Sequence, residues 1–191
     1  MKNLKTNALT QIALLSAILI VMAFTPLGYL PLGPIKITFL CIPVVVAAIT
    51  CGVKGGAILG FVFGMTSLLQ CFGMDVFGTT LMNINPFFMT AVCLVPRVLV
   101  GVFAALTYKA VRGTLSAFAA SLAGTLTNTV GFLGLMVLLF GNSDYLRQFG
   151  STAWEIIVAM AGVNALVEAA VCTVLGGIVA KAVLKFLKRS A

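Results

Sequence analysis

Long, nearly uncharged apolar runs constrain this chain more than any other feature. The stretch from Ala8 to Leu27 carries no charged residue, and neither does the stretch from Ser116 to Asn142. A helix of about 20 apolar residues matches the roughly 30 Å hydrocarbon core of a bilayer. In lipid, only helices and closed barrels satisfy every backbone group. Barrel strands alternate apolar and polar residues over about ten positions; these runs do not alternate, so helices are expected.

Composition removes the soluble alternative. Apolar residues make up 61% of the chain, charged residues 8%, and the mean hydropathy is +1.18. Soluble domains carry about 25% charged residues. A soluble fold of 191 residues has too little polar material here to cover its own surface. The sequence predicts an all-α integral membrane protein, a six-transmembrane-helix bundle in which residues 1–191 form a single transmembrane domain.

The breaks between runs give the spans. Helices are expected at about 8–27, 37–51, 55–72, 86–108, 115–140 and 153–183. Gly28-Tyr29-Leu30-Pro31-Leu32-Gly33-Pro34 separates the first two, because glycine and proline punctuate helices. Pro43 predicts a kink in the short second helix. Residues 73–85 and 141–152 read as polar loops. The first run is too long for a signal-peptide core and no clear small-x-small cleavage site follows, so it reads as a retained helix.

Charge placement sets the orientation. The net charge is +8, but the basic residues flank apolar runs, and no basic face interleaved with aromatics points to nucleic acid. With the N-terminus inside, Lys2, Lys5, Lys54, Lys109, Arg112, Lys181, Lys185, Lys188 and Arg189 fall on the cytoplasmic side. Lys36 and Arg147 fall outside, and Arg97 is left within the fourth helix. The positive-inside rule then places both termini in the cytoplasm of a multi-pass cell-membrane protein.

Several function classes are excluded. There is no phosphate-binding Gly-x-x-x-x-Gly-Lys-[Ser/Thr] loop, no His-Glu-x-x-His and no Gly-x-Ser-x-Gly with a histidine partner. The chain has no histidine and four carboxylates in all, so it reads as a non-enzyme without a cofactor. Cys41, Cys51, Cys71, Cys93 and Cys172 form no Cys-x-x-Cys pair, which leaves no classical metal site. They read as small apolar side chains.

Small residues mark close packing. Gly52, Gly56, Gly60 and Gly64 recur every fourth position on the third helix, which lets another backbone approach. Ala13 and Ala17, with Ser16 beside them, form a similar face on the first helix, available to this bundle or to a partner helix.

Intramembrane polar residues carry the functional signal, because an ionised group at bilayer depth costs several kcal/mol unless paired or hydrated. Arg97 lies about 11 residues from either end of its helix, roughly 16 Å deep. Asn128 lies roughly 18 Å and Asn164 roughly 16 Å below the outer ends of the fifth and sixth helices. Glu168 shares the Asn164 face. Gly101, Ala104, Gly124, Thr125, Gly131, Ala161, Ala165 and Cys172 lie near them at helical spacing and leave room for a cavity. Two readings stay open: Arg97 pairs with Glu168 to join two helices, or it receives the anionic group of a ligand, for which guanidinium geometry is suited. Lys36 in the first outer turn supplies a second cation, and Asn83 and Asn85 lie where the cavity mouth is expected.

In order along the chain, Gly28-Tyr29-Leu30-Pro31-Leu32-Gly33-Pro34, Ile42-Pro43-Val44, the run Gly52-Val53-Lys54-Gly55-Gly56 with Gly60 and Gly64, and Val95-Pro96-Arg97-Val98-Leu99-Val100-Gly101 resemble the S components of energy-coupling factor (ECF) vitamin transporters. The likeness spans nearly the whole chain and is greatest to the pantothenate-type subgroup. It implies six helices and a small water-soluble vitamin bound from outside, near the outer half of the last three helices. It implies delivery of the vitamin through a transmembrane T subunit and two ATPase subunits. Carried over by position, Ala13 and Ala17 become the face that docks the T subunit, and Arg97 and Asn128 become pocket residues. Pantothenate offers a carboxylate to Arg97; riboflavin, folate, pyridoxine or a thiamine precursor are the alternatives within the family. A self-standing secondary transporter would be expected to show an inverted repeat, and residues 1–95 and 96–191 show none. A structural membrane protein with no ligand is the remaining alternative.

Overall fold

The computed structural model describes residues 2–31 and 36–189. In chain order its elements are α1 (Lys2–Ala23), β1 (Tyr29–Pro31), β2 (Lys36–Thr38), α2 (Cys41–Gln70), α3 (Val76–Ile84), α4 (Pro86–Ala110), α5 (Ser116–Phe140), α6 (Asp144–Arg147) and α7 (Ala153–Arg189). Among the described residues, four helices are long and apolar enough to cross a membrane: Cys41–Gln70, Pro86–Ala110, Ser116–Phe140 and Ala165–Leu187. A shorter apolar helix covers Ala8–Ala23. At 1.5 Å per residue, the 25 residues of α4 or α5 reach about 37 Å, enough to span the hydrocarbon core.

Two glycines break the long helices. Gly52, within α2, has φ 71° and ψ −166°, a conformation essentially reserved for glycine. The chain folds back there. A methyl group on Gly56 would lie 2.8 Å from the Ala48 side chain, whereas residues eight apart in a straight helix are about 12 Å apart. Residues 41–51 and 53–70 are therefore two antiparallel arms. Gly162 has φ 41° and ψ −137° and interrupts α7, whose 37 residues would otherwise extend about 55 Å.

Contact pairs fix the direction of each helix. Gly56 meets Gly101, Gly60 meets Arg97, and Gly64 meets Cys93, so the second arm of α2 runs antiparallel to α4. Gly124 packs near Ala104 and Gly131 near Pro96, so α5 runs antiparallel to α4. Ser121 bonds the Cys172 carbonyl and Asn128 bonds Glu168, so α7 runs antiparallel to α5. Cys51 reaches Gln11 and Ala8 near the start of α1, while Gln70 donates to the Ala23 carbonyl at its end. The second arm of α2 thus runs beside α1 in the same direction.

Several sequence expectations need correction. The first helix ends at Ala23, and residues 28–38 contain an antiparallel β-hairpin with Tyr29 opposite Thr38. The second helix starts at Cys41, not 37. Pro43 does not kink it: it lies in the first turn, where a missing N–H costs no helical bond. The loop 73–85 contains α3, capped by Asp75, which accepts from the Gly78 amide at 2.9 Å. The loop 141–152 contains α6, capped by Ser143. Gly52 does not pack against another helix, since nothing lies within 4 Å of where its Cβ would be; it makes the turn.

The core falls into three clusters. One joins α3, α6 and the adjacent ends of α2, α4, α5 and α7 around Met89, Leu133, Met136 and Met160. A second joins α1 to both arms of α2, and a third joins the opposite ends of α2, α4, α5 and α7. Large apolar side chains such as Leu138, Leu166 and Phe186 remain exposed on the outside, where lipid replaces water as the solvent.

Candidate functional site

A cavity of about 120 Å³ lies between the first and second clusters. One water needs about 10–15 Å³ on this measure, so the space takes a small organic solute. Each wall comes from one helical stripe. Met89, Cys93 and Arg97 are spaced four apart on α4, Asn128 and Phe132 four apart on α5, and Phe63, Ser67 and Gln70 line the second arm of α2. Ala165 and Glu168 contribute from α7, and Tyr29 and Thr38 from the hairpin.

Arg97 is 8% exposed. Its Nη1 donates to the Val92 carbonyl of its own helix at 2.8 Å. Its guanidinium carbon stands 4.6 Å from the Phe132 ring centroid and 5.5 Å from that of Phe63, contacts worth about 0.5–2 kcal/mol each. Its Nε has no hydrogen-bond partner. A buried, unsatisfied charged donor is costly, so this N–H lacks the acceptor it needs. Asn128 repeats the pattern: its Nδ2 donates to Glu168 Oε1 at 3.3 Å, and its Oδ1 is buried without a partner.

Glu168 holds several elements together. Besides Asn128, its carboxylate meets the Thr38 backbone amide. One turn further along α7, the Cys172 thiol donates to the Thr38 carbonyl at 3.4 Å. The hairpin is thereby tied to α7 at the cavity wall. Tyr29, opposite Thr38 in the hairpin, faces the same cavity; burial pushes its phenol up to about 12, against the opposing pull of Arg97. It is a neutral hydrogen-bonding group near pH 7.

Arg97, Asn128 and Glu168 are brought together as expected from sequence. Among the described residues no ion pair joins Arg97 to Glu168, which takes the Asn128 amide instead. Asn85 is placed otherwise: its side-chain oxygen caps α4, accepting from the Phe87 and Phe88 amides at 3.1 and 3.2 Å, and it does not line the cavity. The side chains of Lys36 and Asn164 lie outside the described residues. Ala13 and Ala17 are exposed on α1.

The small residues expected beside the polar ones mostly do not line the cavity. Gly101 packs on Gly56, Gly124 on Val45, and Gly131 on Pro96; among those with described side chains, only Ala165 lines the space. The cavity extends the other way along α4 and α5, toward Cys93 and Phe132. Counting four residues from Arg97 and Asn128 in both directions would have found this stripe. Tyr29, Thr38, Ser67 and Gln70 carried no such signal.

Comparisons with known proteins follow the same lines. The family model described as "ECF transporter, substrate-specific component" matches residues 7–180. The pantothenic acid transporter PanT of Lactococcus lactis subsp. cremoris is 29% identical over 202 residues, covering 97% of both chains. The pantothenate transporter PanT of Leuconostoc mesenteroides is 33% identical over 153 residues, covering 73% of this chain and 72% of that protein.

Proposed function

The chain belongs to the family of substrate-specific components of ECF transporters, and on that premise we propose that it captures pantothenate from outside the cell. It is a transporter subunit, not an enzyme. It passes the vitamin inward with a transmembrane T subunit and two ATPase subunits, since nothing in this chain resembles a nucleotide-binding loop. Residues 1–191 act as one transmembrane domain. Its six crossings are α1, the two arms of α2, α4, α5 and α7, with both termini cytoplasmic. The alternating helix directions and the excess of Lys and Arg near the expected inner ends support this orientation.

The observation that carries the ligand reading is the unpartnered Arg97 Nε in the cavity wall. An acceptor-bearing anion answers it, and the side-on edge of a guanidinium suits a carboxylate. The bare Asn128 Oδ1 calls for a donor on the same ligand. Pantothenate offers a carboxylate with amide and hydroxyl donors, and both PanT relatives bear names for its transport. Phe63, Phe132 and Met160 supply an apolar wall for its carbon skeleton.

Isothermal titration of the purified chain with pantothenate is the test, paired with native mass spectrometry of the protein as isolated. Saturable, tight pantothenate binding is expected. A different vitamin retained after purification, with no pantothenate binding, would replace the substrate. Pantothenate uptake in cells lacking every ECF ATPase would favour a self-standing transporter.

A further inference from the structure

Two cysteines in the cavity wall have no part in this ligand reading. Cys71 closes the second arm of α2, and Cys93 lies one helical turn from Arg97 on α4. Both are buried, and their sulfurs are 3.8 Å apart. No other two cysteine sulfurs among the described residues are in hydrogen-bonding contact.

A disulfide needs about 2.05 Å between sulfurs, so a closure of about 1.8 Å joins them. Cys71 is the side able to move. It is the C-cap just after its helix, and the turn that follows contains Gly73 at φ 106°. Beyond its contact with Cys93, its thiol is held by a weak bond to the Ser67 carbonyl at 3.3 Å. Cys71 also lines a second groove with Phe72, Gly73 and Asn83. Cys71 thus borders both the groove and the cavity, whereas Cys93 borders the cavity.

We propose that Cys71 and Cys93 form a redox-convertible thiol pair, which a two-electron oxidant of the hydroperoxide class turns into a disulfide that weakens ligand binding. One thiolate attacks a peroxide oxygen, giving a sulfenic acid and one water. The second thiol attacks the sulfenic sulfur, forming the S–S bond and releasing a second water. Two thiols and one hydrogen peroxide thus yield one disulfide and two waters; the sulfurs are oxidised and the peroxide oxygens reduced. The bond pulls Cys71 off the Ser67 carbonyl and fixes the end of α2 to the stripe that carries Arg97. This consequence for affinity rests on the pantothenate reading, whereas formation of the bond does not.

The test treats the purified wild-type chain with hydrogen peroxide, alkylates remaining thiols and maps peptides without reduction. A Cys71–Cys93 cross-link is expected, reversed by dithiothreitol and absent from Cys71→Ser and Cys93→Ser. Pantothenate Kd should rise about tenfold or more on oxidation and recover on reduction, while a Cys71→Ser protein keeps its affinity through the same treatment. Sulfinic acids or free thiols in place of the cross-link overturn the pair. A cross-linked protein with unchanged Kd overturns its effect on binding. If reduced wild-type protein does not bind pantothenate, the substrate reading fails, and the peptide map still decides whether the pair forms.

Discussion

Arg97 is held between two aromatic faces and bonded to its own helix, yet its Nε is buried without a hydrogen-bond partner. Arg97→Ala should raise the pantothenate Kd roughly a hundredfold, about 3 kcal/mol, because the ligand carboxylate would lose its cation in a low-dielectric site. Arg97→Lys should recover little, since an ammonium lacks the planar fork. Titration of the folded variants checks both, and wild-type affinity in Arg97→Ala would refute the carboxylate assignment. Arg97, Asn128 and Glu168 were legible in the sequence because polar groups at bilayer depth are expensive. Asn85 was misread for a physical reason: an asparagine immediately before Pro86 is equally a helix cap, and capping is what it does here. Tyr29 and Thr38 reach the cavity through pairing in a short hairpin, which leaves no periodic mark.

At the scale of the elements, the glycines of α2 do two different jobs. Gly52 has open space around it but a positive φ. Gly52→Ala should destabilise through backbone strain alone, by about 1–3 kcal/mol. Gly60 has ordinary helical geometry, but an added Cβ would collide with the Arg97 carbonyl oxygen. Gly60→Val should cost about 1–3 kcal/mol by overpacking and also weaken pantothenate binding, because the displaced backbone carries Arg97. Thermal unfolding in detergent beside ligand titration separates the cases: Gly52→Ala lowers Tm with affinity kept, and Gly60→Val lowers both. The four-residue glycine spacing was readable as a packing stripe. That its first member is the hinge was not, because the sequence gives the same Gly-x-x-x-Gly pattern whether the helix continues or folds back. The short helices α3 and α6 were missed for a related reason. Their nine and four residues are too few for a periodic signal, and their caps, Asp75 and Ser143, read equally well as turn residues.

For the whole molecule, the helices alternate in direction, and the cavity is lined by groups from α2, α3, α4, α5, α7 and the hairpin. Among the described residues α1 lines none of the cavity; it packs on α2 and leaves Ala13 and Ala17 exposed. A small-residue face with no partner in its own bundle admits the close approach of another helix, and under the proposed function that helix belongs to the T subunit. Replacing both residues, Ala13→Trp with Ala17→Trp, adds bulk on this face while leaving Arg97, Asn128 and Glu168 untouched. Pantothenate Kd should therefore stay within about twofold of wild type, a difference under about 0.5 kcal/mol. Co-purification with a tagged T subunit and vitamin uptake in cells should both be lost. Normal co-purification in the double variant would refute the docking role of α1. Lost binding together with lost uptake would mean that α1 supports the cavity itself, against the proposed separation of capture and coupling.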